Sequence, residues 1–318
     1  MIRRIVVALA ACAIGSVAVA QECVGARRIV VGFQAGGAAD QIARMLAERL
    51  SKRFATPFIV ENKTGAAGNI AAEYVAKSAA DGCTLLLTGN NHNLNAFIYQ
   101  RAGYEPLKNF DSVARIVEAP SLLTVNPGQH IKTIGQLVAF AKANPGKLSY
   151  GTSGLGSVNH IGMELLAQAA GIQLVHVPYK GASSALQDTV SGIVPLNNGS
   201  VAASLPYVDA GRLVALAVGG SNRTHAMPQV PTIGEAGYPD ATFTVWVGLL
   251  APAGMPSTLQ ERLNAEVRTI LSDQPFRDGL AIKGLEPAPS TASEFAAFLV
   301  NDYKRSRAIV RDLKLKAD

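Results

Sequence analysis

Short strand-like segments alternate with helix-like segments along most of this chain, and this alternation restricts the fold more than any other feature. The apolar run at residues 84–88 is typical of a buried strand, whereas residues 40–53 place Ile42, Leu46 and Leu50 on one helical face. Strands that are separated by helices usually pair in parallel and carry helices on both faces of the sheet. The sequence therefore predicts an α/β fold.

The remaining elements follow the same pattern. Further strands are predicted at residues 29–33, 58–60, 113–117, 122–125, 148–151, 173–178 and 212–218. Further helices are predicted at residues 70–79, 134–143, 159–170, 182–191, from 257 onwards, and at 294–311. Residues 89–95 are rich in asparagine and are predicted to form a polar turn after a buried strand.

The order of these elements predicts two lobes. Residues 126–218 form their own set of α/β units, so they are assigned to lobe 2, and residues 21–125 and 219–318 together to lobe 1. A chain of 318 residues is long enough for two domains. A domain inserted into another leaves a cleft between them, and such clefts bind ligands.

Residues 1–20 have the features of a signal peptide. Arg3 and Arg4 precede the apolar run 5–20, which ends in Ala18-Val19-Ala20. The run is shorter than the roughly 20 residues that span a bilayer, so a soluble periplasmic protein is expected. A lipoprotein signal at Leu9-Ala10-Ala11-Cys12 is the alternative, although its apolar region is short.

Composition excludes several classes of protein. Hydrophobic residues make up 48% and charged residues 16%, which is enough apolar surface for a folded core and excludes disorder. The net charge is +6, but the basic residues are scattered and form no patch of the kind that binds nucleic acid. Removing Arg3 and Arg4 with the signal peptide lowers this charge further.

Cys23 and Cys83 remain after the signal peptide, which contains Cys12, is removed. Each precedes a predicted strand, and if these strands are parallel neighbours, both sulfur atoms lie at the same edge of the sheet. A disulfide between them would close a loop of about 60 residues and stabilise the fold by about 4 kcal/mol. Two free buried thiols are the alternative.

Two glycine-rich loops, at residues 31–40 and 150–160, each connect a strand to a helix. Gly36 and Gly37 lie in the first loop, and Gly154 and Gly156 in the second. Glycine allows backbone N–H groups to approach a ligand, and the start of a helix favours an anion. Both loops could hold carboxylates; the alternative is two tight turns, with Asp40 or Ser157 as a helix cap.

No enzyme is expected, and no cofactor or metal. Neither loop has the dinucleotide, Walker or nucleophile-elbow pattern, and Ser153 and His160 have no identifiable acidic partner. The five histidines have no metal-ligand spacing. His92 is the one histidine with a predicted site position, because it follows a buried strand.

Taken together, several blocks of the sequence resemble a known family, the receptors of tripartite tricarboxylate transporters, also called Bug proteins. The blocks cover essentially the whole chain after residue 20, in order: 29–40, 60–70, 81–86, 143–148, 150–160, 176–181, 228–237 and 246–254. The family usually carries Tyr where this chain has Cys83, and an acidic residue at the positions of Pro195 and Gly199.

The resemblance implies an α/β fold of the periplasmic binding protein type II-like class. In this fold, known as a Venus flytrap, two lobes close on a ligand. It implies a periplasmic receptor that captures a small organic acid and delivers it to membrane transporter subunits. The ligand-binding residues that the loops and the resemblance together indicate are Phe33, Gly36, Gly37, Asp40, His92, Thr152, Gly156, Ser157, Pro178 and Ala182.

The missing acids at Pro195 and Gly199 favour a dicarboxylate or an aromatic carboxylate over an amino acid, because no acidic group would pair with an ammonium. A monomer is expected. A sensory binding protein that signals to a membrane kinase, and an exported enzyme acting on small acids, are the alternative functions.

Overall fold

The computed structural model describes residues 23–154, 157–179, 181–312 and 315–316, and the strands in these ranges form two sheets. The first sheet has six strands in the order β11-β4-β10-β3-β1-β2. These strands are β1 Arg27–Val31, β2 Phe58–Asn62, β3 Thr84–Gly89, β4 Phe110–Ala119, β10 Val245–Pro252 and β11 Glu286–Pro287. The second sheet has five strands in the order β7-β6-β8-β5-β9. They are β5 Ser121–Val125, β6 Ser149–Thr152, β7 Val175–Pro178, β8 Leu196–Ser200 and β9 Val214–Val218.

Helices cover both faces of the first sheet, as predicted. They are α1 Ala38–Phe54, α2 Asn69–Ala76, α3 Asn91–Ile98, α8 Ser257–Ser272, α9 Gln274–Ala281 and α10 Ala292–Asp312. Ile29 points to the face that packs against Leu46 and Leu263, whereas Val30 points to the face that packs against Val75 and Phe295. Successive strand residues alternate between faces, so both faces of a parallel strand must be apolar, as this strand is.

The second sheet is built in the same way. Its helices are α4 Ile134–Ala143, α5 Val158–Ala170, α6 Ala182–Val190 and α7 Val201–Asp209. Tyr150 and Leu196 pack with Leu137 and Leu166 on one face, and Leu122 and Val201 form a smaller cluster on the other. A mixed α/β fold with one sheet in each of two lobes confirms the predicted fold class.

The chain crosses between the sheets at other positions than predicted. It first crosses at Pro120, because β4 ends at Ala119 in the first sheet and β5 begins at Ser121 in the second. Residues 219–243 stay with the second sheet, where the Phe243 N–H donates to the Gly219 carbonyl over 3.1 Å. The predicted boundaries after residues 125 and 218 are therefore displaced to residues 120 and 244, because β5 opens the second sheet rather than closing the first.

Six of the described strands and α-helices were absent from the sequence prediction. These are β8, β10, β11, α3, α7 and α9. The sequence around β8 contains Asn197 and Asn198, and α7 contains Pro206, so neither carries an apolar period that reveals it. The predicted polar turn at residues 89–95 is wrong, since most of it belongs to α3, where the asparagine side chains bond to buried partners instead of water.

The disulfide between Cys23 and Cys83 is present. β1 and β3 are parallel neighbours, with Arg28 opposite Thr84, so the two cysteines reach the same edge of the sheet as predicted. The bridge attaches the segment before β1 to the segment before β3.

Two further contacts join the lobes. α10 begins against the first sheet, where Phe295 packs with Trp246, and ends beside the second lobe, where Ile309 clusters with Ile161. Elsewhere, the imidazole Nδ1 of His225 lies 2.7 Å from a carboxylate oxygen of Glu286. Within the part of the chain that the structure describes, none of the helices is both long and apolar enough to cross a membrane.

Candidate functional site

The carboxyl ends of the parallel strands of both sheets border the space between the lobes. β4 runs parallel to β1 and β3, so its last residue, Ala119, lies at the same edge of the first sheet as Val31 and Gly89. Because only Pro120 separates β4 from β5, that edge meets the edge of the second sheet where β6 and β8 end. Ligands of open α/β sheets bind at such edges.

The first glycine loop follows β1 and is held in shape by Asp40. One carboxylate oxygen of Asp40 accepts hydrogen bonds from the Gly36 N–H and the Arg44 Nε, both over 2.9 Å. The other oxygen accepts the Asn62 side-chain amide over 3.0 Å, and that amide also donates to the Phe33 carbonyl. Asp40 thereby joins the two ends of the loop to the end of β2.

Asp40 is 2% exposed, so its carboxylate faces the loop rather than the cleft. The hydrogen bond from Arg44 is the largest cause that lowers the pKa of Asp40 to about 2, and burial opposes it. The carboxylate is therefore ionised and fully bonded at neutral pH. Asp40 is a positioning residue of the loop in this structure, and Gly37, rather than Asp40, occupies the N-cap of α1.

The first turn of α1 has no side-chain cap. Gly36 adopts a φ of +84°, which favours glycine, and both Gly36 and Gly37 are exposed. An uncapped helix start presents backbone N–H donors and a partial positive charge, which together favour an anion.

A second loop, which follows β2 at residues 64–68, lies beside the first and was missing from the predicted site. Gly68 packs against Gly32, and Ala66 and Ala67 both adopt positive φ, at 44° and 51°. The Ala67 carbonyl accepts amide protons from Asn91 and Asn95, each over 3.0 Å. Successive backbone N–H groups in a turn can form a concave surface that binds an anion.

The sequence contained a signal for this loop, because Gly65 and Gly68 follow a predicted strand that ends at the same edge. The exposed side chains at this edge are apolar: Phe33 is 40% exposed and Ile70 is 50% exposed. The first lobe therefore offers backbone donors and apolar contacts together.

In the second lobe, Ser157 caps α5, since its hydroxyl accepts the His160 N–H over 3.2 Å. Thr152 is the last residue of β6 and is 1% exposed, so its side chain supports the loop from the interior of the lobe. Gly156 lies outside the described residues, as do Leu155 and Lys180. The predicted contact at Gly156 stays a prediction.

Pro178 and Ala182 lie on either side of the turn that follows β7, and both are exposed. α6 begins at Ala182 with Gly181 as its N-cap and has no side-chain cap. The structure thus places an uncapped helix start in the second lobe as well as in the first.

His92 lies in the core of lobe 1 and not in the cleft. It is 0% exposed, and its ring stacks on Tyr104 and meets the edge of Phe110, at centroid distances of 5.2 and 4.8 Å. Burial lowers its pKa to about 4, so the ring is neutral at neutral pH. The structure does not bring His92 to the cleft, because residues 91–98 are helical and turn the imidazole inward, and the ligand contact at His92 stays a prediction.

Close packing around Gly199 is consistent with the absence of the acidic residue that the family usually carries at this position. A β-carbon at Gly199 would lie 2.5 Å from the side-chain oxygen of Asn197, which itself is buried and donates its amide to the Gly151 carbonyl over 3.3 Å. The position has no space for a carboxylate. Within the described residues, there is no group of three or more His, Cys, Asp or Glu side chains that could hold a metal ion.

Two α/β lobes, with uncapped helix starts at the facing edges of their sheets, define the class of periplasmic solute-binding proteins. The sequence profile described as "Tripartite tricarboxylate transporter family receptor" matches residues 42–315. This chain belongs to that family, and the resemblance inferred from the sequence is confirmed.

Individual relatives agree with this assignment. Protein BugT of Bordetella pertussis is 31% identical over 291 residues, which cover 91% of this chain and 89% of BugT. The structure of R. palustris Rpa4515 with adipate is 32% identical, covers 92% of this chain and 98% of that one, and has a TM-score of 0.70. A TctC solute-binding protein from Polaromonas, solved without ligand, is 25% identical, covers 90% and 98%, and has a TM-score of 0.84.

Proposed function

We propose that this protein is a periplasmic receptor that binds a small dicarboxylate between its lobes and delivers it to a tripartite membrane transporter. The observation that carries the proposal is the pair of uncapped helix starts, α1 at Gly37 and α6 at Gly181, on opposite lobes. Each can bind one carboxylate through backbone N–H groups.

The exposed apolar side chains in the first lobe favour a ligand whose two acids are joined by hydrocarbon. Phe33 and Ile70 would contact its methylene groups or ring. The adipate bound to Rpa4515 is a ligand of this kind. Lobe closure would bring more donors to the anion, so that the ligand shifts the population towards the closed state.

The remaining parts of the proposal come from the sequence and the family. Residues 1–20 would direct export and be removed, and they lie outside the described residues. We propose a monomer. We also propose that the site is not catalytic, because its described residues offer backbone donors and no activated nucleophile.

A thermal-shift screen of refolded protein against dicarboxylates, tricarboxylates, aromatic acids and amino acids tests this proposal. A ligand at 100 times its Kd stabilises by about 2.7 kcal/mol, which raises the Tm visibly. Adipate or a related dicarboxylate should raise the Tm, and amino acids should not. A response confined to amino acids, or turnover of a bound acid, would contradict the proposal.

A pair of variants makes the screen specific to the site. Ala182→Glu adds a carboxylate to the exposed first turn of α6 and should abolish the response by repelling the anion. Gly135→Glu is the matched control, because it adds the same charge to the exposed first turn of α4, at the other edge of the sheet. Equal loss of response in both variants would show that α6 is not part of the site.

A further inference from the structure

Two histidine rings contact each other beside the loop that follows β6. The ring centroids of His160, on α5, and His176, on β7, are 4.1 Å apart, with the rings tilted by 31°. The Tyr150 ring, on β6, stacks on His176 at 5.1 Å and lies 6.5 Å from His160. The loop that these rings support contains Ser157 and lies at the candidate site.

One hydroxyl connects the stack to the loop. The Nε2 atom of His176 lies 2.7 Å from the Thr152 hydroxyl oxygen, and the same oxygen accepts the Gly154 N–H over 3.2 Å. The hydroxyl has a single proton, and its alternative acceptor, the Gly154 carbonyl, is more distant at 3.3 Å. The shorter contact favours a hydroxyl that donates to His176.

For the Thr152 hydroxyl to donate, the Nε2 atom of His176 must carry no proton. Burial, followed by the charge of a protonated His160, lowers the pKa of His176 to about 4. Burial also lowers the pKa of His160, against the opposing effect of Glu164. Both rings are therefore neutral at neutral pH, and the Nε2 atom of His176 can accept a hydrogen bond from the Thr152 hydroxyl.

We propose that His176 is a positioning residue of the ligand site, which holds residues 152–154 through the chain Gly154 N–H to Thr152 hydroxyl to His176 Nε2. The charged and titratable groups that face His176 are Tyr150 from β6 and His160 and Glu164 from α5. Glu164 accepts a hydrogen bond from Tyr150 and lies 4.0 Å from His160, so its charge is directed to these two residues. This inference rests on the proposed function only for the identity of the ligand that the loop binds.

The first test needs no ligand. In NMR spectra of the protein, the Gly154 amide shift should follow the titration of the His176 imidazole, with a midpoint near pH 4, because protonated Nε2 donates and the Thr152 hydroxyl must turn to the Gly154 carbonyl. In His176→Gln this titration should be absent. A Gly154 amide that does not respond to the His176 titration in the wild type would overturn the proposal.

The second test uses adipate as the probe at pH 7.5. His176→Leu removes the acceptor and should weaken binding about tenfold, the equivalent of one hydrogen bond. His176→Gln keeps an acceptor and should restore binding to within about threefold of the wild type. Equal weakening by both variants would overturn the proposal, since only packing would then matter.

His130→Asn is the control variant, because His130 is exposed and asparagine tolerates its positive φ of 55°. It should leave adipate binding and the Gly154 titration unchanged. If wild-type protein does not bind adipate, the proposed ligand class fails, and the NMR titration still decides the role of His176.

Discussion

Gly32 and Gly68 pack backbone against backbone, so closely that a β-carbon added to Gly32 would lie 2.6 Å from the Gly68 Cα. This contact holds the loops that follow β1 and β2 side by side. The arrangement of backbone donors in the first lobe therefore depends on the absence of two side chains.

Gly32→Ala should push the two loops apart, since neither backbone can yield as a flexible side chain would. We expect a loss of about 1–3 kcal/mol in the free energy of unfolding, together with loss of the thermal response to dicarboxylates. Urea unfolding and calorimetry measure the two effects. In Gly135→Ala, in α4, the new β-carbon would lie at an ordinary contact distance of 3.8 Å from the Thr133 hydroxyl oxygen, so this variant should leave binding intact. Wild-type behaviour of Gly32→Ala would contradict the prediction.

Asp40→Ala should release the first glycine loop without removing a ligand contact. The Gly36 N–H loses its acceptor, so hydrogen exchange at Gly36 should become faster and ligand affinity should fall. The depressed pKa of Asp40, about 2, means that its stabilising effect is complete above the unfolded value near 3.9 and is lost as the pH falls through about 2. The wild-type loop should therefore be insensitive to pH between 5 and 8.

The control for Asp40 lies about two turns further along α1. Glu48 bonds to Lys52 at the surface and is exposed, so Glu48→Ala should not change hydrogen exchange at Gly36. Unchanged ligand affinity in Asp40→Ala would exclude Asp40 from any role in the site.

Replacing both cysteines with serine should destabilise the protein through its unfolded state. Cys23 and Cys83 are 60 residues apart, and opening a loop of this length costs about 4 kcal/mol in the chain-entropy model. Equilibrium unfolding of the double variant should match that of reduced wild-type protein. A loss below about 1 kcal/mol would mean that the bridge does not constrain the unfolded chain as the loop-entropy model requires.

Asp302→Asn should remove the pH-dependent free-energy cost of ionising a buried carboxyl group in lobe 1. Burial raises the pKa of Asp302 to about 6, and its carboxylate accepts the Asn93 amide over 2.7 Å. Because the pKa of Asp302 is higher in the folded state, the protonated side chain stabilises the fold at a pH below about 3.9, the pKa of an unfolded Asp. This stabilisation is lost as the pH rises through about 6. Compared with the wild type, the variant should gain up to about 3 kcal/mol at pH 8 and nothing at pH 4.

Chemical unfolding of both proteins across this pH range measures the difference, in which the contributions of other groups cancel. Asn301→Gln, at an exposed neighbouring position on α10, is the control, because it changes no titratable group. An Asp302→Asn difference that is constant from pH 4 to 8 would show that Asp302 does not titrate in this range.

The strands and helices that could be predicted from the sequence are those whose apolar period is set by a core. Helix α4 was predicted with its correct limits, because Ile134, Leu137, Val138 and Ala141 pack on one face. The disulfide was predictable for a related reason, since two parallel strands place both cysteines at one edge.

The errors concern polar side chains whose partners are distant in sequence. Asn93 bonds to Asp302, 209 residues away, so a segment that reads as a polar turn is a buried helix. His92 lies on the same helix, α3, and is buried in the same core. The same cause hides Asp40, whose role depends on Asn62 at the end of the next strand.

The path of α10 has a thermodynamic consequence for lobe closure. Its first half packs in lobe 1 and its last turn packs in the apolar cluster around Ile161 and Phe243. A rotation of one lobe against the other must slide or expose part of this cluster. Exposure of apolar side chains contributes a positive heat-capacity change. The heat-capacity change of ligand binding should therefore be less negative than the value expected from the ligand's own buried surface, so calorimetry at several temperatures would record hinge motion that a measurement of affinity alone would miss.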